Sequence, residues 1–377
     1  MFKIVMHKAG NGDCISIITD TEYILIDGGT AQSYDTWKTQ IFEKTDKIDA
    51  LVITHIDNDH VNGIIKLLED PACPEIKEVL FNGAEQLLGK LDETSEIDRN
   101  TERKLKSIIA ENLEVRDKDK VGYSEGTSLS FFLNQKLLKC NNIIDNEAIS
   151  IEKINEIKIG TTVFSIISPS QKDLISLKKE WESKLRDRKI NLKILNKTSY
   201  LAFESYLNKL NNSSNKKQYI SSKKINNIEA LAKSNFEPDH SPTNRSSFSF
   251  LIINNNKKIL YLGDCHAESI LTWLNKNNIE KITVDAVKIS HHGSKHNTSL
   301  DLLSRVNCSN YLISTNGKVH NHPDLETLAR IIFYNKDKNT KIYINYELNN
   351  IPYWFLEELN NEYENIKLYM NIEEVEI

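Results

Sequence analysis

Residues 51–63 read LVITHIDNDHVNG, and the fold turns on how this stretch is read. LVIT is an apolar, branched run of the kind that fills a buried strand. It leads directly into His55, Asp57, Asp59 and His60, two imidazoles and two carboxylates within six positions. The run that follows, VNGIIKLLED, has a helical pattern and stops before Pro71. The polar cluster therefore sits where a strand hands over to a helix, the end at which α/β proteins place ligands. Imidazole and carboxylate together make a ligand set for Zn, Mn or Fe. Without a cation, two neighbouring ionised aspartates would repel each other and lose hydration. The plainer alternative, a solvated helix start enriched in Asp, leaves both histidines without a role.

Two further strand ends carry the same chemistry. Asp264 closes KKILYLGD and precedes the helical HAESILTWLNKN; alone it would read as an N-cap. His291 and His292 follow VDAVKI in KISHHGSKHNTS. Adjacent residues on an extended segment point to opposite sides, so one of the pair, His291, is expected to face a cation and His292 to stand behind it. Three such ends converging on one rim predict a site for two divalent cations, Zn²⁺ or Mn²⁺, with Asp264 able to bridge them. Paired cations suit phosphoryl-ester hydrolysis.

The rest of the chain fits around this rim. FKIVM, ISIIT, YILID and EIKEVLFN join ALVIT as strand candidates, with SYDTWKTQIFEK as a helix; SSFSFLIIN, SNYLISTNG, KIYINYEL and IKLYMNI follow from residue 244 onward. The expected architecture is α/β, with two sheets face to face and helices outside, formed by blocks 1–80 and 244–346 as one domain over 1–377. Residues 84–240 read as a charged, helical insertion holding the strand or hairpin IKIGTTVFSIISP. Net charge is −5 overall, but residues 178–233 carry 14 Lys and Arg against 5 Asp and Glu, a local +9. That segment either tracks a nucleic-acid backbone or is a solvated helical face. Trp181, Tyr200, Phe203 and Tyr206 within it have helical spacing and read as local core, and NNSSNKKQYISSKK (211–224) reads as a flexible loop. With 39% apolar and 27% charged residues, disorder is not the expectation. No run of 18 apolar residues predicts a membrane span, and MFKIVMHKAGNGD reads as a first strand rather than a signal peptide. Five scattered cysteines without a C-x-x-C pair argue against a disulfide framework and for the cytoplasm.

Four of these motifs fall in the chain order of a known family. ILIDGG with Asp27, THIDNDH, LGD with Asp264 and SHHGS together resemble the metallo-β-lactamase-fold hydrolases. The resemblance implies a four-layer αβ/βα sandwich, with Asp27 supporting the metal loop. Two departures stand out. The usual HxHxDH is HxDxDH here, with Asp57 in the second His position. The third-motif His is not evident either, His240 being the only histidine between His60 and Asp264. NGDC, NRSSFSFLI and NHPD add a resemblance to the soluble domain of ComEC-like competence proteins. That branch implies phosphodiester cleavage, DNA in preference to RNA, and includes stand-alone members in anti-phage defence.

On this reading His55 and Asp57 hold one cation, Asp59, His60 and His291 the other, and Asp264 bridges them, with a hydroxide between the cations as nucleophile. Asp57 shifts preference toward Mn²⁺. His322, in a loop it shares with His320, is expected to contact a scissile phosphate or donate a proton, before a helix whose first turn includes Pro323 and Asp324. Asp59 and His322 are thus the candidate catalytic residues, with Asp27, His240 and His292 as supporting or alternative ligands. His7, His266 and His296 are left as surface or supporting residues. The insertion is a candidate protein-docking surface. The competing readings are a lactone, thioester or ester hydrolase on the same site, and a non-catalytic subunit with a degenerate metal site.

Overall fold

The computed structural model describes residues 2–92, 97–113, 128–214 and 227–377. Two large sheets form its middle layers. The first has six strands, in the order Glu374–Glu376, Lys3–Met6, Ile15–Ile18, Tyr23–Ile26, Ala50–Ile53 and Val79–Phe81. Pairing is antiparallel as far as Tyr23–Ile26 and parallel beyond it. The second has eight strands, running from Ile366–Tyr369 through Thr340–Ile344, Asn310–Ile313, Ala286–Lys288 and Lys257–Tyr261 to Ser249–Asn254, Thr162–Ser168 and Glu156–Ile159.

Side-chain alternation along these strands builds the layers. Ile24, Ile26, Ala50 and Val52 point between the sheets, where they meet Phe164, Phe250, Ile252 and Ile259. Their neighbours Leu25, Leu51 and Ile53 point the other way, onto the helices Tyr34–Phe42 and Asn58–Glu69. On the second sheet, Leu251, Leu260, Val287 and Tyr311 pack outward against Ala267–Lys276, Leu325–Tyr334 and Tyr353–Glu362. The result is the four-layer αβ/βα arrangement expected from the sequence.

The middle of the chain differs from the expected insertion in one respect. IKIGTTVFSIISP forms two strands, Glu156–Ile159 and Thr162–Ser168, that complete the second sheet through Ser249–Asn254. The helices around them, including Arg99–Leu113, Leu129–Gln135, Gln171–Asp187 and Lys197–Ser214, pack on the outer face of the first sheet. Trp181 lies 5.6 Å from Phe203 and 5.7 Å from Tyr206, ring centre to ring centre, so these aromatics are core, as their spacing suggested. Lys179, Arg186, Lys189, Lys193 and Lys197 are exposed. Of the expected loop 211–224, residues 211–214 are helical and the remainder lies outside the described residues. Among the described residues no helix is long and apolar enough to cross a membrane.

Candidate metal centre

The site is built on a backbone approach that only glycine permits. The loop after Tyr23–Ile26 carries Asp27, Gly28 and Gly29 and lies directly against the helix Asn58–Glu69. Gly28 N–H donates to His60 O (2.8 Å) and Gly63 N–H to Gly29 O (3.0 Å). A Cβ on Gly63 would stand 1.8 Å from Gly28 O. This contact places Asp27, left-handed at φ 57°, beneath the metal-type motif. Its Oδ1 accepts from Thr54 N–H (2.8 Å), and its Oδ2 accepts from Thr54 Oγ1 (2.7 Å) and His60 Nδ1 (2.8 Å).

These bonds set the tautomers. With its Nδ1 donating to Asp27, His60 presents a bare Nε2. Thr54 Oγ1 spends its proton on Asp27, so it accepts from His55 Nδ1 (3.0 Å), which frees His55 Nε2 as well. His292 Nδ1 meets Ser314 O (3.0 Å), with the same consequence. All three Nε2 atoms converge on one carboxylate oxygen, Asp264 Oδ2, at 3.8 Å from His55, 3.4 Å from His60 and 3.6 Å from His292; His291 Nε2 stands 3.9 Å from it.

Asp264 is buried, which would raise its pKa, but the imidazoles of His292, His60 and His291 hold it well below the usual carboxylate range. Burial would likewise lower His60, yet Asp264 and Asp27 lift it well above an ordinary histidine. Asp57 is raised by burial, whereas Asp59, which receives Asn11 Nδ2 at 2.7 Å, is lowered by His60 and His292 against the effect of its burial. A field that draws protons this strongly onto imidazoles favours a divalent cation for the same reason.

The residues fit such a cation on a direct observation. His55 Nε2, His60 Nε2, His292 Nε2 and Asp264 Oδ1 are buried and have no hydrogen-bond partner among the described residues, an expensive arrangement unless something polar sits between them. His55, His60 and Asp264 bring one ligand atom each within 4.8 Å of one another, as do Asp59, His60 and His292. Asp57 and His291 lie outside such groups among the described residues; Asp57 Oδ2 is 3.3 Å from His55 Nε2.

Several expectations need correcting. The SHHGS segment is not extended: His291 (φ 48°, ψ 50°) and His292 (φ 54°, ψ 22°) are both left-handed, so the two rings do not diverge. Both reach Asp264, and it is His292, expected to stand behind the ligands, that groups with Asp59 and His60, in the place given to His291. His240 is exposed; its neighbour Asp239 enters the site instead, with Ser241 N–H bonded to Asp239 Oδ1 at 2.8 Å. Of the histidines left as surface or supporting residues, His7 and His266 are buried. His7 bonds Gln40 (2.8 Å) and Ser16 (2.7 Å), and His266 Nε2 lies 3.5 Å from Asp239 Oδ2. Pro323 and Asp324 precede the helix Leu325–Tyr334, with Asp324 at its N-cap.

His322 is buried beside His291, with ring centres 5.6 Å apart, and its Nδ1 is 3.5 Å from Asp324 Oδ2; burial pulls its pKa down. Sequence reading also missed Asp13, fully buried in the NGDC turn. Its Oδ2 pairs with Lys288 Nζ and its Oδ1 lies 3.4 Å from His292 Nδ1. The strand-end pattern does not reach it, since Asp13 stands two residues before the start of Ile15–Ile18 rather than at the end of a strand. Besides Asp239, the insertion reaches the centre through Asn208, on Lys197–Ser214, whose Oδ1 accepts from Asn58 N–H (2.9 Å) at the start of the metal-type helix.

A sandwich of this layering gathers His and Asp at its strand ends in groups that could hold a metal ion. Residues 7–103 match the model of the Metallo-beta-lactamase superfamily, a span that includes Asp27 and the whole of THIDNDH. Among solved structures, the metallo-beta-lactamase fold protein YhfI from Bacillus subtilis is similar at 8% identity and a TM-score of 0.37, over the full length of both chains. No curated protein matches.

Proposed function

We propose that this chain is a metal-dependent phosphodiesterase that uses two divalent cations, Zn²⁺ or Mn²⁺, with nucleic acid as substrate and DNA in preference to RNA. The observation that carries the reading is the position of Asp264: one buried carboxylate oxygen lies within 3.4–3.9 Å of four imidazole nitrogens, so Asp264 would hold cations together with those rings. His55 and Asp57 would serve one cation, and Asp59, His60 and His292 the other. When bound, such a pair acidifies a water and offsets charge on a leaving oxygen.

The chain's own residues do the rest. Asp27, Thr54 and Ser314 fix the imidazole tautomers. Asn11 steadies Asp59. His322, next to His291 and with its Nδ1 3.5 Å from Asp324 Oδ2, would be the group to handle a proton at the leaving oxygen. The carboxylate at position 57 supports a hard-ligand site suited to Mn²⁺. The exposed Lys179, Arg186, Lys189, Lys193 and Lys197, on and after Gln171–Asp187, support contact with a phosphate backbone. The ComEC-like motifs support the choice of phosphodiesters over lactones or thioesters, and a place in anti-phage defence follows from the same resemblance.

The test is incubation of the purified protein with linear DNA, circular DNA and RNA in Mn²⁺, Mg²⁺ or Zn²⁺, beside Asp264→Ala and His60→Ala. The expected result is cleavage that EDTA abolishes and both variants lack. Turnover of an ester or lactone panel with every nucleic acid intact would replace the substrate class. Tight cation binding with no turnover of any substrate would refute the enzyme reading.

A further inference from the structure

The third-motif histidine missing from the sequence leaves the His55–Asp57 side of the centre short of protein ligands, and a group of side chains beside it has so far been given no role. Asp239 Oδ2 accepts from Asn244 Nδ2 (2.7 Å) and Asn297 Nδ2 (3.2 Å), and lies 3.6 Å from His291 Nδ1 and 3.5 Å from His266 Nε2. Asn297 is fully buried, and its amide orientation is determined. Its Nδ2 faces the carbonyl oxygens of Asp264 (3.3 Å) and Cys265 (3.2 Å), so its Oδ1 must be the atom 3.1 Å from His291 Nδ1. Asn244 Nδ2 lies 3.3 Å from the same nitrogen, but the shorter contact to the Asn297 oxygen and the Asp239 carboxylate 3.6 Å away together favour His291 Nδ1 as a donor, and in the neutral ring His291 Nε2 is then a bare lone pair facing Asp264.

From this geometry we infer that Asp239 and Asn297 are positioning residues that make His291 a cation ligand on the His55–Asp57 side, so that SHHGS serves both cations, one from each ring. The inference rests on the two-cation reading above. His292 groups with Asp59 and His60, and with Asp13 and Asp264. Two consecutive left-handed residues, followed by Gly293 at φ 88°, are what allow neighbouring rings to approach one carboxylate together. Asp239 supplies the negative charge behind the ring that a histidine ligand ordinarily has. It lies in a segment anchored to the same loop, since Asp239 N–H donates to His296 O (3.0 Å). Arg330 holds that loop from below through Lys295 O (2.7 Å) and Thr298 O (2.9 Å).

The experiment is a Zn²⁺ titration of the metal-free protein against a chelating dye, resolving two sites, for wild type, Asp239→Asn, Asn297→Ala, His291→Ala and the double variant Asp239→Asn/His291→Ala. Asp239→Asn and Asn297→Ala should each weaken one site about 10–100-fold and leave the other unchanged. In the His291→Ala background, Asp239→Asn should add less than twofold, because its effect passes through that ring. Should Asp239→Asn fail to fold, Asn297→Ala against the same His291→Ala background reads the same coupling. Two wild-type sites that neither variant alters would overturn the inference, as would a full-sized further loss in the His291→Ala background. Absence of any bound Zn²⁺ in wild type would instead sink the two-cation reading, and this inference with it.

Discussion

Replacing Asp27 by Asn tests whether tautomer control holds this centre together. The change preserves shape, and Asn tolerates the left-handed backbone at this position. Asp27 offers two acceptor oxygens to three buried donors: Thr54 N–H, Thr54 Oγ1 and His60 Nδ1. An amide offers one oxygen. If that oxygen stays with Thr54 N–H, the NH₂ faces His60 Nδ1, which must then accept. The ring proton moves to Nε2, the atom aimed at Asp264, and His60 can no longer ligate. If the amide turns over, Thr54 N–H is left unpaired in the interior. Either arrangement costs about 1–3 kcal/mol of stability, and the first weakens cation binding about 10–100-fold. Urea unfolding of the metal-free variant reads the first quantity, and Zn²⁺ titration of the folded variant reads the second. A variant with wild-type stability and affinity within twofold of wild type would refute the argument that Asp27 acts through His60.

Three further outcomes follow from other contacts. Gly63→Ala should lose about 3 kcal/mol or more in urea unfolding, because its methyl would meet Gly28 O at 1.8 Å and push the metal-type helix off its loop; wild-type stability would show that the helix moves freely. Glu22, 6% exposed, accepts from Thr161 N–H (2.6 Å) and ties the turn before Tyr23–Ile26 to the hairpin of the second sheet. Burial would raise its pKa, but the bonds from Thr161 and Thr19 hold it below the usual glutamate range. Its stabilisation is therefore complete above the unfolded value of about 4.3 and is lost as pH falls through the lower folded value; the urea midpoints of wild type and Glu22→Gln should differ at pH 7 and converge in acid, and a constant gap would contradict this. Zn²⁺ in 100-fold excess over its dissociation constant should stabilise the protein by about 2.7 kcal/mol, lost on adding EDTA; a melting temperature indifferent to EDTA would count against a preformed cation site.

What could be read from sequence was whatever depends on local pattern. Branched runs ending in His or Asp marked Ala50–Ile53 and Lys257–Tyr261 as strands with a site at their ends. The misreadings have non-local causes. Asp239 follows no strand, so nothing in EPDHSP distinguishes the buried carboxylate from the exposed His240 beside it. The left-handed turn at His291 and His292 looks, in one dimension, like the continuation of VDAVKI; the bend is imposed by Gly293 and by tertiary contacts such as Asn297. That IKIGTTVFSIISP belongs to the second sheet depends on its pairing with residues some ninety positions downstream, through Ile252↔Phe164 and Ile253↔Val163.

The short strand Glu374–Glu376 has a consequence for how the molecule is made. It covers the edge of Lys3–Met6 through Ile4↔Val375 and its neighbours. On the ribosome, Lys3–Met6 emerges some 370 positions ahead of its partner. Until that partner follows, the first sheet carries an open hydrogen-bonding edge, the kind that recruits other chains. A nascent chain stalled before residue 374 would be more prone to aggregate than one stalled after 377, although the two differ by only a few residues and share the whole metal centre.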